Sequence, residues 1–418
     1  MVWFSTETPE GRAAMHEVRD AVVVQLHSLD KEVLEAVDSL AAQYPVFADV
    51  AYRFGRRDFS AATTLRHVVG LRFLTELHFP DFAQFTRLRW LEMEPNTDER
   101  VPLETLPTSL EHLALWELDE ASLPAILRLE NLRSLSYHVG PKSPSPESFA
   151  PLRQLEELSI RSEPYESVGG FAHLPHLQKL SLVGGHLNGE TVKTVSEARG
   201  LLDLELIADI NYADMAPLAT LRQLERLHYV AAGSGNGDDA MGAIAKLPRL
   251  QELLLEQAPL SDRGLKLLTQ LPLKRLSLES ASIDDRNAQT LSQFTGLESL
   301  SLQWTPVSNV TLRQLPTTLR ELNLWGTQVT QADLPLLTRF PELSELDLTF
   351  MEIDDAHLEA LTALPELRRL NVMSPLLTPA SEATLERMPK LAVLISSNAL
   401  DCATIRIERF SCRGSLGR

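Results

Sequence analysis

The sequence predicts an α/β solenoid: a curved parallel sheet built from one short strand per repeat, helices and tight helical turns on the returning side, and a helical cap at the N-terminus. Three observations carry that prediction. The pattern LxxLxL starts at Leu88, Leu110, Leu132, Leu155, Leu177, Leu201, Leu224, Leu250, Leu273, Leu297, Leu319, Leu343, Leu367 and Leu391, at intervals of 22 to 26 residues, inside the range of stacked-repeat architectures. Within each copy the last two leucines are two apart, which points both to one face of a strand, while the first closes the turn that enters it. Between copies, apolar residues recur at helical spacing, as in Leu334, Leu337 and Phe340 after Val329, and in Leu358, Leu361 and Leu364 after Ile353. No single copy can bury its own leucines, so the copies must stack.

From the N-terminus, residues 9 to 43 carry Val18, Val22 and Leu26, then Val33, Leu34, Val37 and Leu40, at helical spacing. They predict a helical cap over residues 1–70, which would cover the first open face of the stack. "LTELHF" at Leu74 reads as a degenerate first strand, and the solenoid of about 14 repeats is expected over residues 71–400. In "SDRGLKLLTQLP", Ser261 to Pro272, Ser and Asp can cap a return helix that the Pro terminates. "LPTSLEHLAL" and "LPTTLRELNL" enter their strands behind a Pro, which favours an extended approach. The longest interval holds "AAGSGNGDD", Ala231 to Asp239; with neither GK[ST] nor a strand-to-helix GxGxxG it reads as a surface loop rather than a phosphate cradle. In the tail, residues 401–418, Ile405 and Ile407 alternate and predict an edge strand.

The formal net charge is −18, from 57 acids and 39 bases spread along the 418 residues. Such a surface repels phosphate backbones and anionic lipid, so neither nucleic acid nor membrane is an expected partner. No apolar run approaches the length of a membrane span, and "MVWFSTETPEGR" has no secretory n- and h-region. A cytoplasmic location is expected, with leaderless export as an effector the alternative. Arg outnumbers Lys 31 to 8, which suggests GC-rich, bacterial coding. Cys402 and Cys412 are too few for a disulfide framework and fit a reducing compartment.

Copies such as "LRELNLWGTQVTQADL" and "LSELDLTFMEIDDAHL" resemble the bacterial type of leucine-rich repeat, whose units read like LxxLxLxxTxVTDxxLxxLxxLPxL. Thr327, Val329, Leu334, Leu337 and Pro341 occupy those places, and Ala281, Ile283, Asp284 and Leu291 do so less closely; the resemblance spans residues 74 to 397. The asparagine usual nine places into such a repeat is replaced by Gly185, Ala258, Ala281, Thr305, Thr327 and Met351, so an asparagine ladder is not expected. The resemblance implies a noncatalytic protein-binding scaffold, with partner choice in the exposed slots of the concave face.

Those slots give a map. Trp304, Trp325, Phe350 and Met373 fall one or two positions past the last strand hydrophobe of four consecutive copies, and at about 4.8 Å per strand they predict a stripe roughly 15 Å long. Beside it stand Glu252, Glu256, Glu279, Glu321, Glu345 and Asp347, with Arg275 and Arg369 among them. An aromatic strip with a carboxylate rim suits a protein partner offering basic and apolar groups. Trp90 and Trp116 suggest a weaker second patch.

No catalytic residue, cofactor or metal site is expected. His112 and His138 occupy slots too far apart to share a metal, and they, like His78 and His228, read as lone surface histidines. Neither GxSxG nor HExxH occurs, and the acids at return-helix starts, such as Asp284 and Asp285, read as caps. Two alternatives to the scaffold remain. "LDKEVLEAVDSL" followed by "VAYRF" loosely resembles an F-box, which implies an adaptor, or a secreted bacterial effector, linking a target to a ubiquitin-ligase scaffold. The other alternative is an enzyme whose site is assembled in loops.

Overall fold

In the structure, a computed structural model, the described residues are 22–26, 31–50, 64–73, 79, 81–93, 101–140, 142–162, 169–210, 212–231, 237–396 and 411–414. They fall into two compact units, residues 1–185 and 186–418.

In the first unit each strand pairs in parallel with the next. β1 (Val22–Leu26) is followed by helix α1 (Lys31–Gln43), β2 (Val46–Val50), β3 (Gly70–Phe73), β4 (Trp90–Met93), β5 (His112–Glu117), β6 (Ser134–Val139), β7 (Glu157–Ser162) and β8 (Lys179–Leu187). α1 buries Leu34, Val37 and Ala41, one face of its cylinder, and leaves Val33 exposed. The helix expected around Leu34 and Val37 is present, but Val22–Leu26 is a strand and so is Val46–Val50. The physical reason lies in Val22, Val23 and Val24: adjacent β-branched residues lose rotamer freedom in a helix and pack well on a pleated surface. The N-terminal segment therefore extends the sheet through a β-α-β unit instead of closing it with a helical bundle alone. Residues 1–21 and the Leu74–His78 part of "LTELHF" lie outside the described residues.

In β3 the missing side chain of Gly70 makes room for a ring: a Cβ there would lie 2.0 Å from Phe47 Cδ1, and Phe47 in turn meets Trp90 edge-on at 5.9 Å. Register aligns Arg72 with Glu92, and their charges meet at 3.3 Å with both side chains largely buried.

The second unit repeats the scheme through β9 (Asp203–Ile210), β10 (Arg226–Ala231), β11 (Glu252–Glu256), β12 (Arg275–Ser277), β13 (Ser299–Ser301), β14 (Glu321–Asn323), β15 (Glu345–Asp347), β16 (Arg369–Asn371), β17 (Val393–Ser396) and β18 (Ser411–Gly414). All fourteen leucines that open the sequence pattern are buried, as are Val329, Leu334, Leu337 and Phe340 on the returning side. The return helix Asp262–Leu268 starts on Ser261, whose hydroxyl accepts from the Arg263 amide. Ile405 and Ile407 lie outside the described residues, as does Cys402, and the described edge strand is β18, which includes Cys412.

With the asparagine absent, carboxylates take over the stitching between neighbouring return limbs. Asp285 accepts from the Ser308 amide at 2.9 Å, the Ser308 hydroxyl at 2.5 Å, the Thr311 amide at 3.2 Å and the Thr311 hydroxyl at 2.7 Å, all in the next repeat. Asp238 does the same for Ser261, Asp262 for Thr290, and Asp355 for Thr378 and Ser381. The reading of Asp284 and Asp285 as two caps holds only for Asp284, which accepts from the Arg286 amide and receives Asn287 in a capping box. Burial alone would raise the Asp285 carboxyl, but the hydrogen bonds from Ser308 and Thr311 outweigh it and hold the group below its ordinary range.

Candidate functional site

Alternation along each strand sends the pattern leucines into the core and leaves the residues between and after them on the open face. Register then sorts that face of the second unit into rows that run across the strands. One row reads Arg226, Glu252, Arg275, Ser299, Glu321, Glu345, Arg369; the next reads His228, Leu254, Ser277, Ser301, Asn323, Asp347, Asn371. One position past each final strand hydrophobe come Glu256, Glu279, Gln303, Trp325, Thr349 and Met373, and two positions past come Gln257, Ser280, Trp304, Gly326, Phe350 and Ser374.

Five of the six residues of the two-past row share one backbone state, Ser374 being the exception. Gln257, Ser280, Trp304, Gly326 and Phe350 all have φ between 53° and 68°. A left-handed conformation is natural for Gly326 but costs a bulky L-residue about 1–2 kcal/mol. The preceding side chains set this turn: Asn323 Oδ1 accepts from the Trp325 amide at 2.9 Å, and Asp347 Oδ1 accepts from the Thr349 amide at 2.8 Å.

The three rings close on one another. Centroids lie 5.8 Å apart for Trp304 and Trp325, 5.7 Å for Trp304 and Phe350, and 5.8 Å for Trp325 and Phe350. The predicted stripe of four is thus a compact trio, with Trp325 from one row set against Trp304 and Phe350 from the other; Met373 is half-buried and separated from Trp325 in its row by Thr349. Gly326 permits this arrangement, because a Cβ on it would sit 2.6 Å from Trp304 Cε3. Gly326→Ala is therefore expected to cost about 1–2 kcal/mol from the left-handed backbone alone and to push the Trp304 indole away, read as a loss of near-ultraviolet circular dichroism. Retention of that signal at unchanged stability would remove this role from Gly326. Phe350 remains 68% exposed and Trp304 48%, uncommon values for large aromatic side chains.

The acids beside the trio have partners within the chain. Arg275 reaches Glu321 at 2.5 Å and Glu252 at 3.5 Å, and Arg369 pairs with Glu345 at 3.4 Å. Glu279 accepts from Gln303 Nε2 at 2.9 Å, and Asn323 continues the chain by donating to Gln303 Oε1 at 3.0 Å. Asp347 Oδ2 accepts from Asn371 Nδ2 at 2.8 Å. Glu256 meets His228 Nε2 at 2.9 Å while Glu205 meets Nδ1 at 3.0 Å. His228 is therefore no lone surface histidine. Burial works against its charge, but the hydrogen bonds and charges of Glu205 and Glu256 prevail and raise its pKa to about 9. Burial, with the nearby charge of Glu256, raises the Glu279 carboxyl, partly offset by His228.

In the first unit, Trp90 packs against Phe47 and Trp116 stacks on His138 at 4.1 Å. Each tryptophan thus has its own neighbour. Among the described residues, no group of three metal-ligating side chains is gathered in a metal-binding arrangement.

No family model matches the chain, and no curated protein matches it. Solved structures do. An internalin from Listeria monocytogenes is 17% identical, with a TM-score of 0.42 over 81% of this chain and 88% of its own. A leucine-rich repeat protein of Leptospira interrogans is 16% identical, with a TM-score of 0.42 over 89% of this chain and 93% of its own. The TLR13–ssRNA13 complex is 19% identical, with a TM-score of 0.51 over 85% of this chain, which spans 57% of that one. With one short strand per repeat, parallel register and a leucine-lined core, each unit has the leucine-rich repeat fold.

Proposed function

We propose that the chain is a noncatalytic scaffold that grips a protein partner on the open sheet face of its second unit, anchored by Trp304 and Phe350 over Trp325. One observation carries this reading: Phe350 and Trp304, two large aromatic side chains packed on each other and on Trp325, still leave much of their apolar surface open to water on the sheet face. A preformed sheet lowers the ordering cost of binding, so a small aromatic anchor can dominate affinity. Glu256, Glu279, Glu321, Glu345 and Asp347 form the polar rim, with Met373 at its edge. The bacterial repeat type, the cytoplasmic location and the absence of catalysis extend the same proposal. The net charge of −18 disfavours a phosphate backbone, while exposed rings by themselves are also a platform on which bases stack.

Affinity capture from a native lysate, with the intact chain and the Trp304→Ala/Phe350→Ala chain side by side, tests it. A partner held by the intact chain is expected to weaken by about 2 kcal/mol or more in the double variant, with the melting temperature nearly unchanged because both rings are exposed. Equal capture by both chains would move the site elsewhere. A single-stranded RNA arm, at low and high salt, checks the exclusion of nucleic acid.

A further inference from the structure

We propose that the feature recognised beside the aromatic trio is an arginine side chain of the partner polypeptide, its stem lying on Trp304 and Phe350 and its guanidinium on Asp347. The inference rests on the scaffold reading and names the chemistry of its partner.

The charge pattern points to Asp347. Glu321 and Glu345, in the neighbouring row, are neutralised by Arg275 and Arg369. Asp347 is hydrogen-bonded by the Thr349 amide and the Asn371 carboxamide, yet no cationic side chain pairs with it among the described residues. Each of its oxygens accepts one hydrogen bond there and has capacity for another. It lines an open groove of about 370 Å³ with Asn323 and Asn371, and the two arginines of that groove, Arg275 and Arg369, are engaged by Glu321 and Glu345. A half-buried carboxylate without a countercharge is an incomplete arrangement.

A second, independent observation falls on the same strands. Thr349 is 5% exposed, and its Oγ1 has no hydrogen-bond partner; the same holds for Trp325 Nε1 and Asn371 Oδ1. Buried polar atoms are nearly always paired. Here three unpaired ones come from three successive repeats, on the face that also carries the exposed rings and the uncompensated acid. Entry of a polar group with its water would give them partners.

Arginine fits better than lysine for two reasons. A guanidinium is planar, stacks on aromatic faces and offers paired donors to a carboxylate, whereas an ammonium is a compact and strongly hydrated charge. The apolar stem of arginine can lie along the rings while the head reaches the acid.

The test is a random-peptide display selection on the intact chain, counter-selected against the Trp304→Ala/Phe350→Ala chain, followed by titration of the enriched peptides. Enriched peptides are expected to share an arginine next to an apolar residue. Changing that arginine to citrulline should weaken binding about 30-fold and to lysine about 5-fold, and Asp347→Asn should weaken the arginine peptide about 10-fold. Asp347→Asn keeps an oxygen for the Thr349 amide, and Asn371 can turn its free Oδ1 toward the new amide, so the fold is retained; a thermal melt checks this. Enriched peptides without arginine, or arginine peptides indifferent to citrulline and to Asp347→Asn, overturn the guanidinium assignment and leave the scaffold reading standing. Failure of any peptide to distinguish the intact chain from the double aromatic variant overturns both.

Discussion

Replacing Asp285 by alanine is expected to lower the stability of the chain by about 3 kcal/mol, whereas Asp284→Ala should cost only about 1 kcal/mol. The two residues are adjacent in sequence and both stand at the start of a return helix, but they serve different repeats. Asp285 accepts four hydrogen bonds from Ser308 and Thr311 of the next repeat, and Thr311 is fully buried. Removal of the carboxylate leaves two amides and two hydroxyls without their acceptor at an interface where little water can replace it. Asp284, by contrast, caps its own helix, and its partner Arg286 is fully exposed. Urea unfolding of both variants measures the difference. Equal losses would show that the stitching between repeats contributes nothing beyond ordinary capping. The pH dependence follows from the same bonds. Asp285 and Asp355 both have carboxyls held below their ordinary values. Their contribution is therefore present above the unfolded-state pKa and lost as pH falls through the lower folded values, so the deficit of Asp285→Ala should shrink in strong acid.

The second large effect is expected at His228. His228→Leu should cost about 2–4 kcal/mol near neutral pH, because it leaves Glu205 and Glu256 facing each other without the cation between them. Partial exposure of all three side chains keeps the value below that of a fully buried pair. The intact chain is expected to lose this stabilisation on the alkaline side. Its folded pKa of about 9 lies above the ordinary histidine value of 6.5, so the stabilisation is complete below pH 6.5 and is lost as pH rises through 9. A stability profile from pH 5 to 10 that is flat in the intact chain, or an unchanged stability of His228→Leu at neutral pH, would refute the clamp.

Much of the fold was legible because its determinants are local and repeated. Leu300 and Leu302 are two apart and buried, and Leu358 and Leu361 are three apart and buried; each period belongs to one kind of backbone, and the sequence shows both. The N-terminal segment was misread because Val22 and Leu26 fit a helical spacing while the consecutive valines between them suit a strand, and pairing with β2 settled the matter. The aromatic site was half legible. Trp304, Trp325 and Phe350 could be assigned to the open face by counting from the leucines, but counting gave equal spacing along one line. The sign of φ at Trp304 and Phe350 is not written in either residue, and the available signal was Gly326 in the same slot of the repeat between them. His228 was missed for a similar reason: Glu205 and Glu256 are 23 and 28 residues away, on different strands.

The sequence alone determined the repeat, the direction each leucine faces and the caps that serve their own helix, such as Ser261 and Asp284, because these depend on neighbours a few positions away along the chain. The tertiary structure decided which side chains from different repeats meet. Stacking converts a separation of some two dozen residues into the width of one strand, and it alone settled that three rings form a cluster, that Asp285 ties two repeats together and that most acids near the rings are already paired. Side-chain partnership across strands depends on register and backbone handedness, and neither is fixed by the identity of any one residue.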